Sequence, residues 1–420
     1  MGAINIKHTG SGSDIALSSD GTNLLLNGTA IGGGGGADLY AANESSPNAQ
    51  PSATGANAIA IGDRAVASAE DALAVGTDTD ATAYVAAAFG KGAQATASYS
   101  LSLGLNTIVS AERAVGIGNN GVVAGSTYST AIGHTSGGGG SVTATGAGAM
   151  ALGGSYASGA NSFAAAIATN STSYGATGAN SIAIGYQAKA TNTYSTSIGS
   201  SNNVTAYGAL GAGDANTVSG DYGVAIGRQN TSGSTVSGRT NVALGYGNTA
   251  TGGAAFAIGD RASTQGIYGK MAHSSGYGAG LGTAQSGEIV LYGATTDATP
   301  KAICSGAGSS NTADSTNQVV LPNNSVYGFT GTVIARENSA QTNDFAVWEI
   351  KGGAVRAGSA STTTLGSYNI NKISESTGAA NWSIALSADT TNGAVAITVT
   401  GEASHSIRWV ATVNTTEVTY

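Results

Sequence analysis

The chain has 420 residues, with 66 glycines but only 4 prolines, which excludes a collagen-like triple helix. Only 9% of residues are charged and 41% are hydrophobic, a balance too apolar for a disordered chain. The formal net charge is -8 without any Lys/Arg cluster, so no nucleic-acid partner is expected.

Cys304 is the single cysteine, which leaves no intrachain disulfide and no thiolate metal site. The opening "MGAINIKHTG" lacks the apolar run of a signal peptide, and Ile6 stands where myristoylation wants Ser or Thr. No apolar stretch is long enough for a spanning helix, so membrane insertion is not expected. Synthesis in the cytoplasm follows from these readings.

Residues 1–45 alternate loosely in "INIK", "DIALS" and "NLLLNG" and predict a small β segment. It runs into five consecutive glycines, Gly32 to Gly36, which read as a joint. Residues 46–53, with "SPNAQPS", form a linker.

From 54 to 265 one phrase recurs. "ANAIAIGDRAVASAEDALAVG" (56–76) says nearly the same thing twice, and its glycine returns at 62, 76, 90, 104 and 118, a period of 14. Looser copies end at Gly133, Gly153, Gly185, Gly199, Gly211, Gly227, Gly245 and Gly259, while "AAIA" carries Ala168 in place of the glycine. One and three residues before each glycine stand large apolar residues, as in Ile61 and Ile59; two and four before stand Ala or Ser. That alternation predicts a short two-faced strand. A second short strand follows three residues on, as in "AVA" (65–67) and "TIV" (107–109). The pattern fits a parallel β-solenoid of 14-residue coils. So thin a coil leaves apolar surface that one chain cannot cover, so several chains should pack side by side. Which ladder lines the tube stays open at this level.

Residues 266–287 have no clean period and read as a collar where the roll widens. From 288 to 420 strands lengthen, in "EIVLYG", "QVVLP", "YGFTGTVIAR", "FAVWEIKGGAVR", "NWSIALSA", "GAVAITVTG" and "HSIRWVATVNTTEV". All three tryptophans, Trp348, Trp382 and Trp409, fall here. The expectation is an antiparallel β-sandwich of jelly-roll type, with "DTTNG" (389–393) as a hairpin turn.

"NAIAIG" (57–62), "NSIAIG" (180–185), "YGVAIG" (222–227) and "NVALG" (241–245) resemble the head repeats of trimeric autotransporter adhesins. The resemblance covers about half of the chain and implies a left-handed parallel β-roll and a homotrimer with an adhesive or shaft role. That family continues into a coiled-coil stalk and a membrane barrel, of which no heptad signal appears here. The opening "INIKHTGSGSDIALSSDGTNLLLNGTAIGG" (4–33) is similar to fibre proteins of marine and cyanobacterial phages, which use the same roll. The expected product is thus a virion tail fibre, docked by its N-terminus to tail or baseplate proteins. It would attach to a host surface glycan or outer-membrane protein. A purely structural fibre or decoration protein and a polysaccharide-hydrolysing tailspike are the alternatives.

No active site or cofactor is expected. His8, His134, His273 and His405 share no metal-ligand spacing. Asp63, Glu70, Asp71, Asp78 and Asp80 sit in turns of the most regular coils, where solvated turn roles outweigh paired-carboxylate hydrolysis. Extra loops at 134–148 and 228–239, and Tyr128, Tyr156, Tyr174, Tyr186, Tyr194 and Tyr207 near turns, offer surfaces that could stack on sugars or pack between chains. Receptor contact is placed in the polar loops of the C-terminal domain, on Glu337, Asn338, Gln341, Asn343, Asp344, Glu375 and Asn381.

Overall fold

The structure, a computed structural model, describes residues 49–420 except 135–140, 166–172, 235–238, 277–279, 307–311 and 338–342, with the backbone of four short strands before residue 32. It divides into two compact units, Met1–Tyr128 and Ser129–Tyr420. The glycine run at 32–36, residues 46–48 of the linker, Ala168 and parts of both inserted loops lie outside the described residues.

In the first unit, strands Ile4–Ile6, Ile15–Ser19, Leu24–Leu26 and Thr29–Ile31 pair in chain order as an antiparallel meander, the expected small β segment. The coils begin at Ser52–Ala53. Ile59–Ile61 pairs in parallel with Leu73–Val75, then Ala87–Phe89, then Leu101–Leu103, each 14 residues on. A second parallel ladder runs through Val66–Ala67, Asp80–Ala81, Gln94–Ala95 and Ile108–Val109.

The small ladder lines the coil. Ala60, Ala74, Ala88 and Ser102 are buried, whereas Ile59 and Leu103 point outward at 37% and 41% exposure. The cause is width: two strands this short enclose space for methyl groups but not for a file of Ile side chains. The glycine of the phrase has two reasons to be glycine. Gly62 sits at φ +114°, where a side chain is strained, and a Cβ there would lie 2.4 Å from the Gly76 carbonyl oxygen in the next coil.

The same coil fills the early part of the second unit, where Ile182–Ile184, Thr196–Ser200, Leu210–Asp214, Val224–Arg228, Val242–Tyr246 and Phe256–Asp260 stack in parallel. A buried amide ladder runs through it that the sequence reading missed. Asn202, Asn216, Asn230 and Asn248 are all buried. The Asn216 Nδ2 donates to Asn202 Oδ1 at 2.9 Å and to the carbonyls of Ala212 and Gly227, and its Oδ1 accepts from Asn230 Nδ2 at 3.1 Å. The visible signal was an Asn three residues after Gly199, Gly213, Gly227 and Gly245, in "SNNV", "DANTV", "RQNTS" and "YGNTA"; the register puts Gly213, not Gly211, in the glycine file.

The expected collar contains the strand Met271–Ser275. It pairs in parallel with the last coil, Phe256–Asp260, and antiparallel with Ala284–Thr295, so the sheet changes sense there without breaking. Beyond it a large antiparallel sheet runs in the order Ala284–Thr295, Ile407–Thr419, Ser325–Glu337, Phe345–Arg356, Thr364–Glu375. A small sheet holds Lys301–Ile303, Ala394–Thr400 and Val319–Val320, with Ser383–Asp389 paired to Ala394–Thr400 through the expected 389–393 turn. Residues of both sheets share one core that includes Leu291, Ile303, Trp348, Trp382, Ile397 and Trp409.

The jelly-roll form of this expectation is not confirmed: three consecutive strands from 325 to 375 stay in one sheet. Lys301–Ile303 and Thr364–Glu375 were not anticipated; the latter, "TLGSYNINKISE", is largely exposed and lacks the apolar alternation that marks a half-buried strand.

Asn216→Ala should lower unfolding stability by about 3 kcal/mol, because it strands buried groups on both neighbouring coils. Asp221→Ala, which removes one exposed contact to the Tyr207 N–H at 3.2 Å, should change it by no more than about 0.5 kcal/mol. Denaturant unfolding of the two variants checks the contrast.

Candidate functional site

At one end of the large sheet the polar segments chosen from sequence come together. The hairpin between Ser325–Glu337 and Phe345–Arg356 closes with the Glu337 N–H donating to the Asp344 carbonyl at 2.9 Å. The Ser376 hydroxyl donates to Asp344 Oδ1 at 2.6 Å, Arg336 donates to Asn343 Oδ1 at 3.2 Å, and Asn381 Nδ2 donates to Glu402 Oε1 at 3.2 Å. His405 Nδ1 lies 3.3 Å from Glu337 Oε1 and joins the 402–405 turn to the same cluster.

The placements sort the expected contact residues. Asn343, Asp344 and Asn381 are loop residues, as read. Glu337 and Glu375 are instead the last residues of strands, and the Glu337 side chain is buried. Glu375 is held by Lys372 Nζ at 2.5 Å. Asn338 and Gln341 lie outside the described residues. The three tryptophans face inward: Trp348 stacks on Trp409 at 5.7 Å, Trp382 lies 6.2 Å from Trp409, and Trp409 Nε1 donates to Thr295 Oγ1 at 3.0 Å.

The turn acids of the first unit pair between coils. Arg64 bridges to Asp78, whose carboxyl is held below its usual range chiefly by that hydrogen bond. Asn57 Nδ2 donates to Asp71 Oδ1 at 3.1 Å. Among the described residues no group of three His, Cys, Asp or Glu is placed to hold a metal.

Tyrosines form ladders at the turns. Tyr194, Tyr207 and Tyr222 contact edge to face at 5.5 and 5.4 Å, and Tyr84 meets Tyr99 in the same way at 5.4 Å. Arg113 lies over both Tyr99 and Tyr128, at 5.1 and 5.6 Å. Tyr84, Tyr99 and Tyr222 were not picked out from sequence; the 15-residue steps from Tyr84 to Tyr99 and from Tyr207 to Tyr222 were the available signal.

A second cluster fastens the last coil to the C-terminal sheets. Lys270 and Glu417 are both buried and pair at 2.7 Å. Gln285 Nε2 donates to Glu417 Oε2 at 2.7 Å and to the Ser263 carbonyl at 2.8 Å, while Lys270 Nζ and the Tyr327 hydroxyl both donate to Gln265 Oε1. Burial pushes the Lys270 ammonium below its usual range against the pull of Glu417, and burial with the Glu417 charge pushes the Tyr327 phenol well up. Every member of the cluster is partnered.

The profile of the YadA head domain repeat matches residues 53–79, 81–107, 176–202 and 242–262. The solenoid carries YadA-type head repeats. All four matched segments lie where the two-strand coil was read from the 14-residue period. The tailspike protein of Acinetobacter phage vB_ApiP_P1 aligns over 76% of this chain and 82% of its own, at 11% identity and a TM-score of 0.16, too low to carry an argument. No curated protein matches the chain. Among the described residues no helix is long and apolar enough to cross a membrane.

Lys270→Ala should cost about 3–5 kcal/mol, since it leaves a buried carboxylate unpaired. Lys270→Met combined with Glu417→Leu should cost less than that single change. Thermal melts followed by near-UV circular dichroism, which reports the C-terminal tryptophans, check both.

Proposed function

We propose that the protein is the trimeric fibre of a phage virion and attaches the particle to its host. The observation that carries this reading is the outward Ile/Leu ladder on YadA-type head repeats. Ile132, Ile198 and Ile226 are 37%, 42% and 41% exposed in a single chain. Covering such a half-exposed side chain is worth roughly 1 kcal/mol, so a file of them drives association. The repeat profile and the fold are compatible with a trimeric adhesin-like assembly.

In this reading the N-terminal meander docks to tail or baseplate proteins and the coils act as the shaft. The loop cluster around Asn343, Asp344 and Asn381 meets a host glycan or outer-membrane protein. Three copies of a weak contact on one particle raise avidity. Nothing in the reading calls for catalysis.

Sedimentation equilibrium should give about three times the 40.5 kDa chain mass. Ile198→Asp with Ile226→Asp should shift it toward monomer, because assembly would bury unpaired carboxylates, while Asp63→Ala, in a turn, should leave the mass unchanged. Immunogold against this chain on purified particles should label tail fibres, and the full-length protein should slow particle adsorption to host cells. Unlabelled particles would remove the fibre assignment.

A further inference from the structure

The outer face of the large C-terminal sheet carries exposed apolar residues in an ordered pattern. Register places its outward residues in rows that cross the strands. One row is Tyr292, Val410, Ile334 and Val347, and another is Val418, Val326 and Val355. Apart from Val347, which is half-buried, these residues are between 40% and 51% exposed. The rows between them are polar on the three inner strands: Thr416 with Gly328, then Asn414, Thr330 and Lys351, then Thr412, Thr332 and Glu349; exposed Val290 stands beside Thr412 on the edge strand. The sheet therefore shows two apolar stripes separated by a polar band.

These stripes run in the direction in which the coils stack. Met271–Ser275 hydrogen-bonds the last coil to Ala284–Thr295, so the strands of the large sheet continue the stacking of the parallel ladder. They also continue its outer face, since Phe256 pairs with Met271, Met271 with Glu288, and Glu288 with Asn414. All of this lies within the second unit.

We propose that the two stripes are the two halves of a self-association surface, and that the occupant of each is a second copy of this chain. The assembly is a closed ring in which the Val326 stripe of one copy packs on the Ile334 stripe of the next. Two different stripes on one face, rather than one central patch, suit a head-to-tail ring, where each copy offers one edge to each neighbour. A single isologous dimer would leave one stripe bare. The polar band turns toward the ring axis, and Arg336 and Arg408, beyond the Ile334 stripe, form its polar rim. Symmetry about the stacking direction keeps equivalent strands level, so Val326 and Ile334, on one strand, meet across the contact. The inference rests on the trimer reading and adds that the C-terminal sheet face is interior to the assembly, which leaves the loop end for recognition.

The full chain carrying Val326→Cys and Ile334→Cys together would be treated with a short bis-maleimide. The wild type, whose Cys304 is buried, serves as the blank. The two positions are eight residues apart on one strand, about 27 Å, so a short linker cannot join them within a copy. Covalent trimers on a denaturing gel are expected from the double variant, and monomers from each single variant. Cross-linking in the Val326→Cys protein alone would mean like stripes meet and would overturn the ring. Absence of cross-links in a protein that sedimentation still finds trimeric would overturn the stripe contact while sparing the trimer. A monomeric mass for the wild type would remove both.

Discussion

The width of a 14-residue coil governs this molecule. Two strands of two to five residues enclose a lumen that admits Ala, Ser and Val but no file of Ile or Phe, so Ala60, Ala74 and Ala88 go in and Ile59, Ile61, Leu73 and Val75 stay out. Burying an Ala methyl is worth about 0.8 kcal/mol, far below the gain from a buried Ile. Hydrophobic burial inside one chain is therefore weak, and two other devices offset the shortfall.

The first device is the axial file of polar bonds. Thr79 and Thr107 donate to the carbonyls of Gly90 and Gly118 at 2.6 and 2.9 Å, and Asn202, Asn216, Asn230 and Asn248 link one coil to the next. A buried amide that satisfies both its donor and its acceptor within a repeating geometry fixes the register of the stack, because a slipped coil would leave every member unpaired. The second device is the outward apolar ladder, which in the proposed trimer makes association part of stability rather than an addition to it.

The C-terminal region solves the same problem differently. Strands of 12 and 13 residues give a sheet wide enough to bury Trp348 and Trp409 on one face, so a core forms within one chain. The passage between the two regimes is a single strand, Met271–Ser275, parallel to one neighbour and antiparallel to the other. The buried Lys270–Glu417 pair sits beside it and ties the strand Ile407–Thr419 to the end of the last coil. A charged joint of this kind sets orientation more than it adds stability, since desolvation offsets most of its attraction.

The period of 14, the strand pairs within it and the shift to long strands after residue 288 were legible in sequence because alternation and glycine spacing are local properties. The glycines at 62, 76 and 90 announced themselves for the same reason: positive φ and close approach admit nothing else. Inside and outside were not legible, because both faces of strands such as "NAIAIG" (57–62) are apolar and only the lumen width chooses between them. The loop residues Asn343, Asp344 and Asn381 could be guessed from polarity, but Glu337, buried against His405, could not, since its partner is 68 positions away in the chain and 3.3 Å away in space. The three tryptophans were placed in this region by sequence, and the two sheets close over all of them. Sequence determined the repeat and its local geometry; which surface is core and which is exposed depended on how wide a space the packed strands left, and that is a property of the assembled sheets.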